Sequence, residues 1–106
     1  MLLLPLFQIT VFPGSYEKQS QKGKTMEDRV AVISIIVEDP DSVEELNSLL
    51  HDSAKYVIGR MGIPYPQKNI SIISIAIVAT SDRINALTGA IGRLKGVTCK
   101  ATYQKA

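Results

Sequence analysis

The sequence is poor in the residues that form disulfides and metal sites in small proteins. Its 106 residues include one cysteine, Cys99, one histidine, His51, and no tryptophan. A structural zinc site needs about four nitrogen or sulfur ligands, and a disulfide needs a second cysteine. Neither can form within a single chain, so no metal or cofactor is expected. A lone cysteine is typical of a reducing compartment, and we therefore expect a cytoplasmic protein.

Aromatic residues are also scarce, at 6% of the chain, whereas hydrophobic residues make up 45%. The core must therefore be aliphatic, with isoleucine and valine predominating. A hydrophobic fraction this high excludes an intrinsically disordered chain. The length fits one domain with a modest core.

The chain lacks a basic body, although its pI is about 8.8. Residues 1–25 hold three lysines and one glutamate, so that residues 26–106 carry nine basic and nine acidic residues. Domains that bind nucleic acid usually present a basic face. Direct binding to nucleic acid is therefore not expected.

The amino terminus has no long hydrophobic run. The segment "MLLLPLFQITVFP" is interrupted by Pro5 and falls short of the about 20 apolar residues that cross a bilayer. It also lacks the basic start and the cleavage site of a signal peptide, so no membrane role is expected.

The segment "GSYEKQSQKGKT" that follows is polar and predicts a flexible linker. We predict that residues 1–25 are an extension, that Met26 is the true start, and that residues 26–106 form the domain. The alternative is a short extra strand from Phe7 to Phe12 that pairs with the rest of the protein.

What remains alternates between strand and helix patterns. Residues 29–37 and 70–79 are apolar on both alternations, which is typical of strands buried on both faces. Residues 55–63 and 97–104 predict two further strands that carry glycine, charged residues and threonine. Pro64 and the residues up to Asn69 predict a turn.

Two amphipathic helices separate these strands. The first is predicted to start at Asp41 or Ser42, with Glu44 or Glu45 completing a capping box. The second is predicted to start at Thr80, Ser81 or Asp82 and to end at Gly96. Their predicted apolar stripes are Val43, Leu46, Leu49 and Leu50 in the first helix and Ile84, Leu87, Ile91 and Leu94 in the second.

The element order is βαββαβ, which predicts an α+β, ferredoxin-like fold. Right-handed crossovers give an antiparallel sheet of order 4-1-3-2 with both helices on one face. The two most apolar strands then lie at the centre, in agreement with the topology.

This arrangement leaves an apolar face without helices, which soluble monomers rarely expose. We therefore predict a homo-oligomer, a dimer or tetramer, that packs through the open face. The alternative is that residues 1–12 fold back and cover it.

The run "YVIGRMGIPY" at 56–65 supplies the candidate ligand- or partner-binding residues. Two glycines weaken a strand unless its backbone bulges or is closely approached, and an arginine can offer a fork to a carboxylate or phosphate. The alternative is a bulged edge strand at a subunit contact, with the arginine in an intersubunit ion pair. The candidate residues are Gly59, Arg60, Met61, Gly62 and Tyr65, together with Asp39 in the loop "EDPDS".

The "EDPDS" loop precedes a helix N-terminus, whose N–H groups suit an anion. Its three carboxylates repel one, so simple helix capping is the alternative explanation. In the second helix, Gly89 and Gly92 predict close packing on the sheet or on a partner helix. His51 is interpreted as a solvated residue at a helix end and Cys99 as a core residue. No nucleophile is paired with a base, so we predict that the protein is not an enzyme.

The runs "EDRVAVISIIVED", "IGRMGIPY", "ISIISIAIV" and "INALTGAIGRLKGVTCKATYQK" resemble one small family, over about residues 27–105. It is the family of regulators of iron-only hydrogenase systems, small ACT-like proteins similar in fold to the C-terminal domain of nickel-responsive repressors. Residues 1–25 lie outside the resemblance. The chain lacks the histidine cluster of the nickel repressors and their N-terminal DNA-binding domain.

The resemblance implies a cytoplasmic oligomer linked to the regulation, transcriptional regulation included, or the maturation of iron-only hydrogenase. In ACT domains, small effectors often bind near the corner that corresponds to the "EDPDS" loop, between subunits. The leading hypothesis is a regulatory module that binds a small-molecule effector or a hydrogenase-system protein. The alternatives are an assembly protein for hydrogenase maturation without a small-molecule site, and an oligomer that binds metal through His51 or Cys99 across subunits.

Overall fold

The computed structural model describes residues 8–11 and 28–105. Met26 and the predicted linker at 14–25 lie outside these residues. The described part contains five strands and two α-helices: β1 (Gln8–Val11), β2 (Asp28–Val37), α1 (Val43–Asp52), β3 (Val57–Tyr65), β4 (Ile70–Thr80), α2 (Ser81–Gly92) and β5 (Val97–Tyr103). Short 3₁₀ turns occupy Pro40–Ser42, Ala54–Tyr56 and Pro66–Lys68.

The strands form one antiparallel sheet in the order β1-β3-β4-β2-β5. The four strands from β2 onwards therefore have the predicted order, and the ferredoxin-like α+β fold is confirmed. β2 pairs with β4 over its whole length, from Asp28 opposite Thr80 to Val37 opposite Ser71. Its other edge pairs with β5, so the most apolar strands lie at the centre.

The core lies between the sheet and the two helices. Ile33 and Ile35 of β2 meet Ile75 and Ile77 of β4, and all four are almost completely buried. The helices contribute the remaining large side chains: Leu46 and Leu50 from α1, and Ile84, Leu87 and Ile91 from α2. The core is therefore aliphatic, as the composition predicts.

The predicted helix stripes are largely correct. Leu49 and Leu94 are half-buried against the core, whereas Val43 is 36% exposed. Val43 is the first residue of α1, and the buried residues of this helix, Leu46 and Leu50, lie further along it.

The helix starts differ in part from the prediction. The hydroxyl of Thr80 accepts a hydrogen bond from the backbone N–H of Arg83, as expected for the cap of α2. At α1 no side chain caps the helix; instead Asp39 caps the preceding 3₁₀ turn by accepting from the N–H of Asp41 at 3.0 Å.

β3 starts and ends two residues later than predicted. Residues 54–56 form a 3₁₀ turn, and the strand continues through Pro64 to Tyr65. Pro64 lies beyond Gly62, where the described pairing of β1 with β3 ends, and proline is tolerated in such a position at a sheet edge. The turn itself is Pro66–Lys68, followed by Asn69 in the left-handed region with φ 58°.

The extra strand β1 lies within the 7–12 range of the alternative interpretation. It pairs beside β3, with Ile9 opposite Met61. It therefore widens the sheet at its edge and, over the described residues, does not cover the open face. β3 is accordingly not an edge strand between Gly59 and Gly62, contrary to the prediction.

Gly96 has the left-handed backbone expected of a glycine turn, with φ 68°. It does not cap α2, which ends at Gly92 with Arg93 in the cap position. Gly96 instead packs against the loop after β2, and its carbonyl accepts from the N–H of Glu38 at 2.7 Å. A Cβ at Gly96 would lie 2.6 Å from the Cβ of Asp39, so this close approach requires glycine.

The substitution Gly96→Ala is therefore expected to destabilise the protein by about 2 kcal/mol or more, because it combines an unfavourable φ with a steric clash. Urea unfolding followed by circular dichroism measures the change. Gly89→Ala is the matched control: a Cβ there would only reach Arg93 Nη1 at 3.8 Å, and alanine favours a helix by up to about 1 kcal/mol. Equal stability of Gly96→Ala and the parent would contradict the assigned turn.

Candidate functional site

A β-bulge interrupts the most distinctive run of the sequence. Val57 is opposite Ile77 and Gly59 is opposite Ala76, so Ile58 is the extra residue. The bulge predicted from the glycines is therefore present. Its consequence is a change of face, because one extra residue reverses the side on which every later side chain lies.

Arg60 shows this change of face. It is opposite Ile75, a core residue on the helix-covered side of β4. Regular pairing from Val57 would place Arg60 opposite Ser74, on the open face. The bulge therefore directs the arginine towards α1 and places Met61, Ile63 and Tyr65 on the open face.

The candidate residues from the sequence consequently lie in three places. Met61 and Tyr65 are on the open face, Arg60 is on the helix side, and Asp39 is in the loop between β2 and α1. Gly59 and Gly62 pair with β1, so the strand that approaches them belongs to the same chain. A Cβ at Gly62 would meet nothing within 4 Å. A ligand- or partner-binding role for each of these residues stays a prediction.

Arg60 lines a cavity between α1 and β3, which we call the α1–β3 cavity. Its volume is about 280 Å³. The apolar wall comes from Leu50, Ala54, Val57 and Ile75, and the polar groups are Asn47, His51 and Arg60. Asn47 and His51 are four residues apart on α1 and therefore lie on one helix face.

The α1–β3 cavity combines hydrogen-bond donors with an apolar wall. Within the described part of the chain, no hydrogen bond or ion pair occupies the guanidinium of Arg60. No aspartate or glutamate of the described residues lines the cavity. Asn47 is the polar residue of this cavity that the sequence interpretation missed; the only indication was its helical spacing from His51.

A second cleft, of about 510 Å³, lies between the start of α1 and the end of α2. We call it the α1–α2 cleft. Its charged lining is mixed in sign, with Asp39, Asp41 and Glu45 on one side and Arg93 and Lys95 on the other. Lys95 Nζ is 3.9 Å from Asp39 Oδ2, and the lysine side chain is almost fully exposed. An exposed pair of this kind contributes little to stability.

Structural contacts account for much of the "EDPDS" loop. Ser42 is buried, and its hydroxyl donates to the carbonyl of Lys95 at 2.6 Å. Asp39 accepts from the N–H of Asp41 and packs under Gly96. The loop thus ties the end of β2 to the turn before β5, and its Asp39 caps the 3₁₀ turn but not α1.

Glycines 89 and 92 do not pack closely within this chain. A Cβ at Gly92 would meet nothing within 4 Å, and one at Gly89 would meet only the side chain of Arg93. The prediction of close packing onto the sheet is therefore wrong for the single chain.

The two metal-ligand candidates are separated in the fold. His51 is exposed at the last turn of α1, and Cys99 is half-buried on β5, opposite Ile35. Among residues 8–11 and 28–105, no group of three histidine, cysteine or acidic side chains can hold a metal ion. Both candidates lie on the helix side of the sheet, so packing through the open face does not bring copies of them together.

Burial raises the pKa of the Cys99 thiol above its ordinary value, because the thiolate would lose solvation. The thiol is therefore held in its neutral, unreactive form, as expected of a structural cysteine.

The described residues contain no helix that is both long enough and apolar enough to span a membrane.

The sheet order β3-β4-β2-β5, with two helices on one face, places this chain among the small ferredoxin-like α+β domains. Residues 29–101 match the family described as "TM1266-like: Iron-only hydrogenase system regulator, putative". The chain belongs to this family. No curated protein matches the sequence.

One solved structure extends this result. It is described as "The structure of uncharacterized protein TM1266 from Thermotoga maritima", and it is 30% identical to this chain, with a TM-score of 0.72. The match covers 74% of this chain and 100% of that one. The family resemblance inferred from the sequence is therefore confirmed, and the description of the family points to a regulator of the iron-only hydrogenase system.

Alkylation of Cys99 by iodoacetamide is expected to be slower in the folded chain than in a short peptide of the same sequence, because the thiol is half-buried and its pKa is raised. The rate should increase as the pH rises beyond the ordinary thiol range. Mass spectrometry of quenched samples measures both rates, and unfolding in urea supplies the control. Equal rates for the folded chain and the peptide would contradict the burial of Cys99.

The same pKa shift makes the stability of the folded chain depend on pH. The unfolded chain releases the thiol proton at a lower pH than the folded chain, so this contribution to stability is fully present below the ordinary thiol pKa and is lost as the pH rises from there through the raised pKa of the folded chain.

Proposed function

We propose that the chain is the subunit of a homo-oligomeric regulatory module of an iron-only hydrogenase system. It responds to a small-molecule effector or to a protein of that system, and it catalyses no reaction. The family supports the regulatory role, and one structural observation supports the oligomer: the sheet face opposite the helices is apolar and exposed.

The open face carries a set of large hydrophobic side chains from four adjacent strands. Six of them are exposed: Ile9, Val30, Val32, Ile36, Tyr65 and Ile72. Val32, which lies on the central strand β2, is 43% exposed. Val43 is the one exposed large hydrophobic residue of the described chain outside this face.

The border of the open face is polar. Thr98, Lys100 and Thr102 of β5 lie on this face at its outer edge, opposite Ile36, Ser34 and Val32 of β2. An apolar centre with a polar rim is typical of a protein interface. A second copy of the chain is the proposed occupant, in a dimer or tetramer, because an apolar face of this extent on a monomer disfavours solubility.

The same face supports the proposal that the chain does not bind nucleic acid directly. An apolar surface offers few groups to phosphates, and Lys100 is the basic residue that β5 places on it. A regulatory effect would then pass through the effector or the protein partner.

The substitution Val32→Glu tests the oligomer. We expect the full-length parent to sediment as a dimer or tetramer and Val32→Glu to sediment as a monomer, because a carboxylate at the centre of the face must lose its solvation on association. Val43→Glu is the matched control, since Val43 is 36% exposed but lies on α1. Analytical ultracentrifugation gives the three masses.

A parent that sediments as a monomer would contradict the proposed oligomer. Dissociation of both variants to the same extent would show that the effect is not specific to the open face.

A second candidate function is assembly without a small-molecule site, in which the open face receives a protein of hydrogenase maturation. The apolar character of the open face suits either a second copy of the chain or a maturation protein. Native mass spectrometry of the full chain separates the two functions. An oligomer that retains extra mass supports the effector-binding module, and a stable complex with a maturation protein but no extra mass supports assembly.

The metal-binding alternative is tested in the same samples. A metal stoichiometry that is lost in His51→Ala or Cys99→Ser would support it.

A further inference from the structure

We infer that the α1–β3 cavity binds a small aliphatic carboxylate, with Arg60 as the residue that pairs with the carboxylate group. This inference rests on the proposed function, since it names the class of effector and the place where it binds. The structural basis is the bulge at Ile58, which turns an arginine from the open face to the α1–β3 cavity.

Arg60 occupies a position in which a charged side chain normally has a partner. It is half-buried on the helix-covered side of the sheet, opposite the fully buried Ile75. Desolvating a charged group costs free energy unless a partner compensates. The salt bridge between Lys95 and Asp39 does not involve Arg60, and Arg60 has no carboxylate partner among residues 8–11 and 28–105.

The charges around the α1–β3 cavity favour an anion. α1 carries Glu44, Glu45 and Asp52, but none of these lines the cavity, and Glu45 lines the α1–α2 cleft instead. The groups that do line it include the amide of Asn47 and the imidazole of His51, each with an N–H donor in its neutral form. Among residues 8–11 and 28–105, an anion bound at Arg60 therefore meets donors and no acidic side chain.

The remainder of the cavity selects among anions. Leu50, Ala54, Val57 and Ile75 form a wall that suits the carbon chain of a ligand and offers nothing to a highly hydrated anion. A single guanidinium balances a single negative charge and matches the two oxygens of a carboxylate. The volume of about 280 Å³ lies near the lower end of ligand pockets, which indicates a small molecule.

The mixed charges of the α1–α2 cleft make it a weaker candidate for an anion. Its two cations face three carboxylates, and Lys95 is already near Asp39. The cleft does, however, provide the control arginine, Arg93.

The test is a titration of the isotopically labelled full chain, followed by the backbone amide signals in nuclear magnetic resonance spectra. The probes are sodium butyrate, its uncharged analogue butyramide, and inorganic phosphate. We expect butyrate to shift the amides of residues 47–51 and 57–60 in a saturable manner and butyramide to leave them in place. Saturable shifts by phosphate of equal affinity would overturn the assignment of an aliphatic carboxylate.

Arg60→Gln is expected to weaken butyrate binding by about tenfold or more, because it removes a charge-assisted, two-point contact. Arg93→Gln, in the other cleft, should bind like the parent. Arg60→Lys keeps the charge but not the fork and should bind less tightly than the parent; it also serves as the test if Arg60→Gln fails to fold. Parent-like binding by a folded Arg60 variant would overturn the inference.

The result separates this inference from the proposed function. A chain that is oligomeric and shows no butyrate-dependent shift in the α1–β3 cavity overturns only the carboxylate site. A chain that binds butyrate as a monomer overturns the proposed oligomer and leaves the site in place.

Discussion

The structure depends on one imbalance. The central strands of the sheet are apolar on both faces, but the two helices cover only one of these faces. On the helix side, Ile33, Ile35, Ile75 and Ile77 pack with α1 and α2 and form the core. On the other side, the alternate residues of the same strands have no covering layer among residues 8–11 and 28–105, and β1 adds to the sheet edge instead of closing over it. The described part of one chain therefore buries only one side of this hydrophobic pattern, and the proposed association is a physical means of burying the other.

The β-bulge assigns separate tasks to neighbouring residues of one strand. Without the extra residue Ile58, Met61 would point into the core and Arg60 would lie on the apolar face, where its charge would oppose association. With it, Arg60 faces α1 and Met61 joins the open face. Two functions proposed on opposite sides of the sheet thus share a strand, so that a displacement of β3 at either side reaches the other directly.

Much of the fold could be predicted because its determinants are local or periodic. The doubly apolar runs locate β2 and β4, the helical spacing of Ile84, Leu87 and Ile91 locates α2, and the topology then follows from crossover handedness. The site was harder to predict. The glycines indicate a bulge, but the face of Arg60 depends on which single residue is extra, and periodicity cannot specify that. Asn47 joins Arg60 only through tertiary packing, and the partner of β1 depends on pairing across a long sequence separation.

The position of β2 at the centre of the sheet has a consequence during synthesis. β2 is made before both of its neighbours, β4 and β5, and β5 is the last of the described strands. One backbone edge of this strand, which is rich in β-branched residues, therefore stays open until β4 has been made, and the other stays open until β5 has been made. Pairing over such separations is slow, and unpaired apolar edges favour misassembly between nascent chains. For this small domain, the interval most exposed to aggregation lies before β5 has been made.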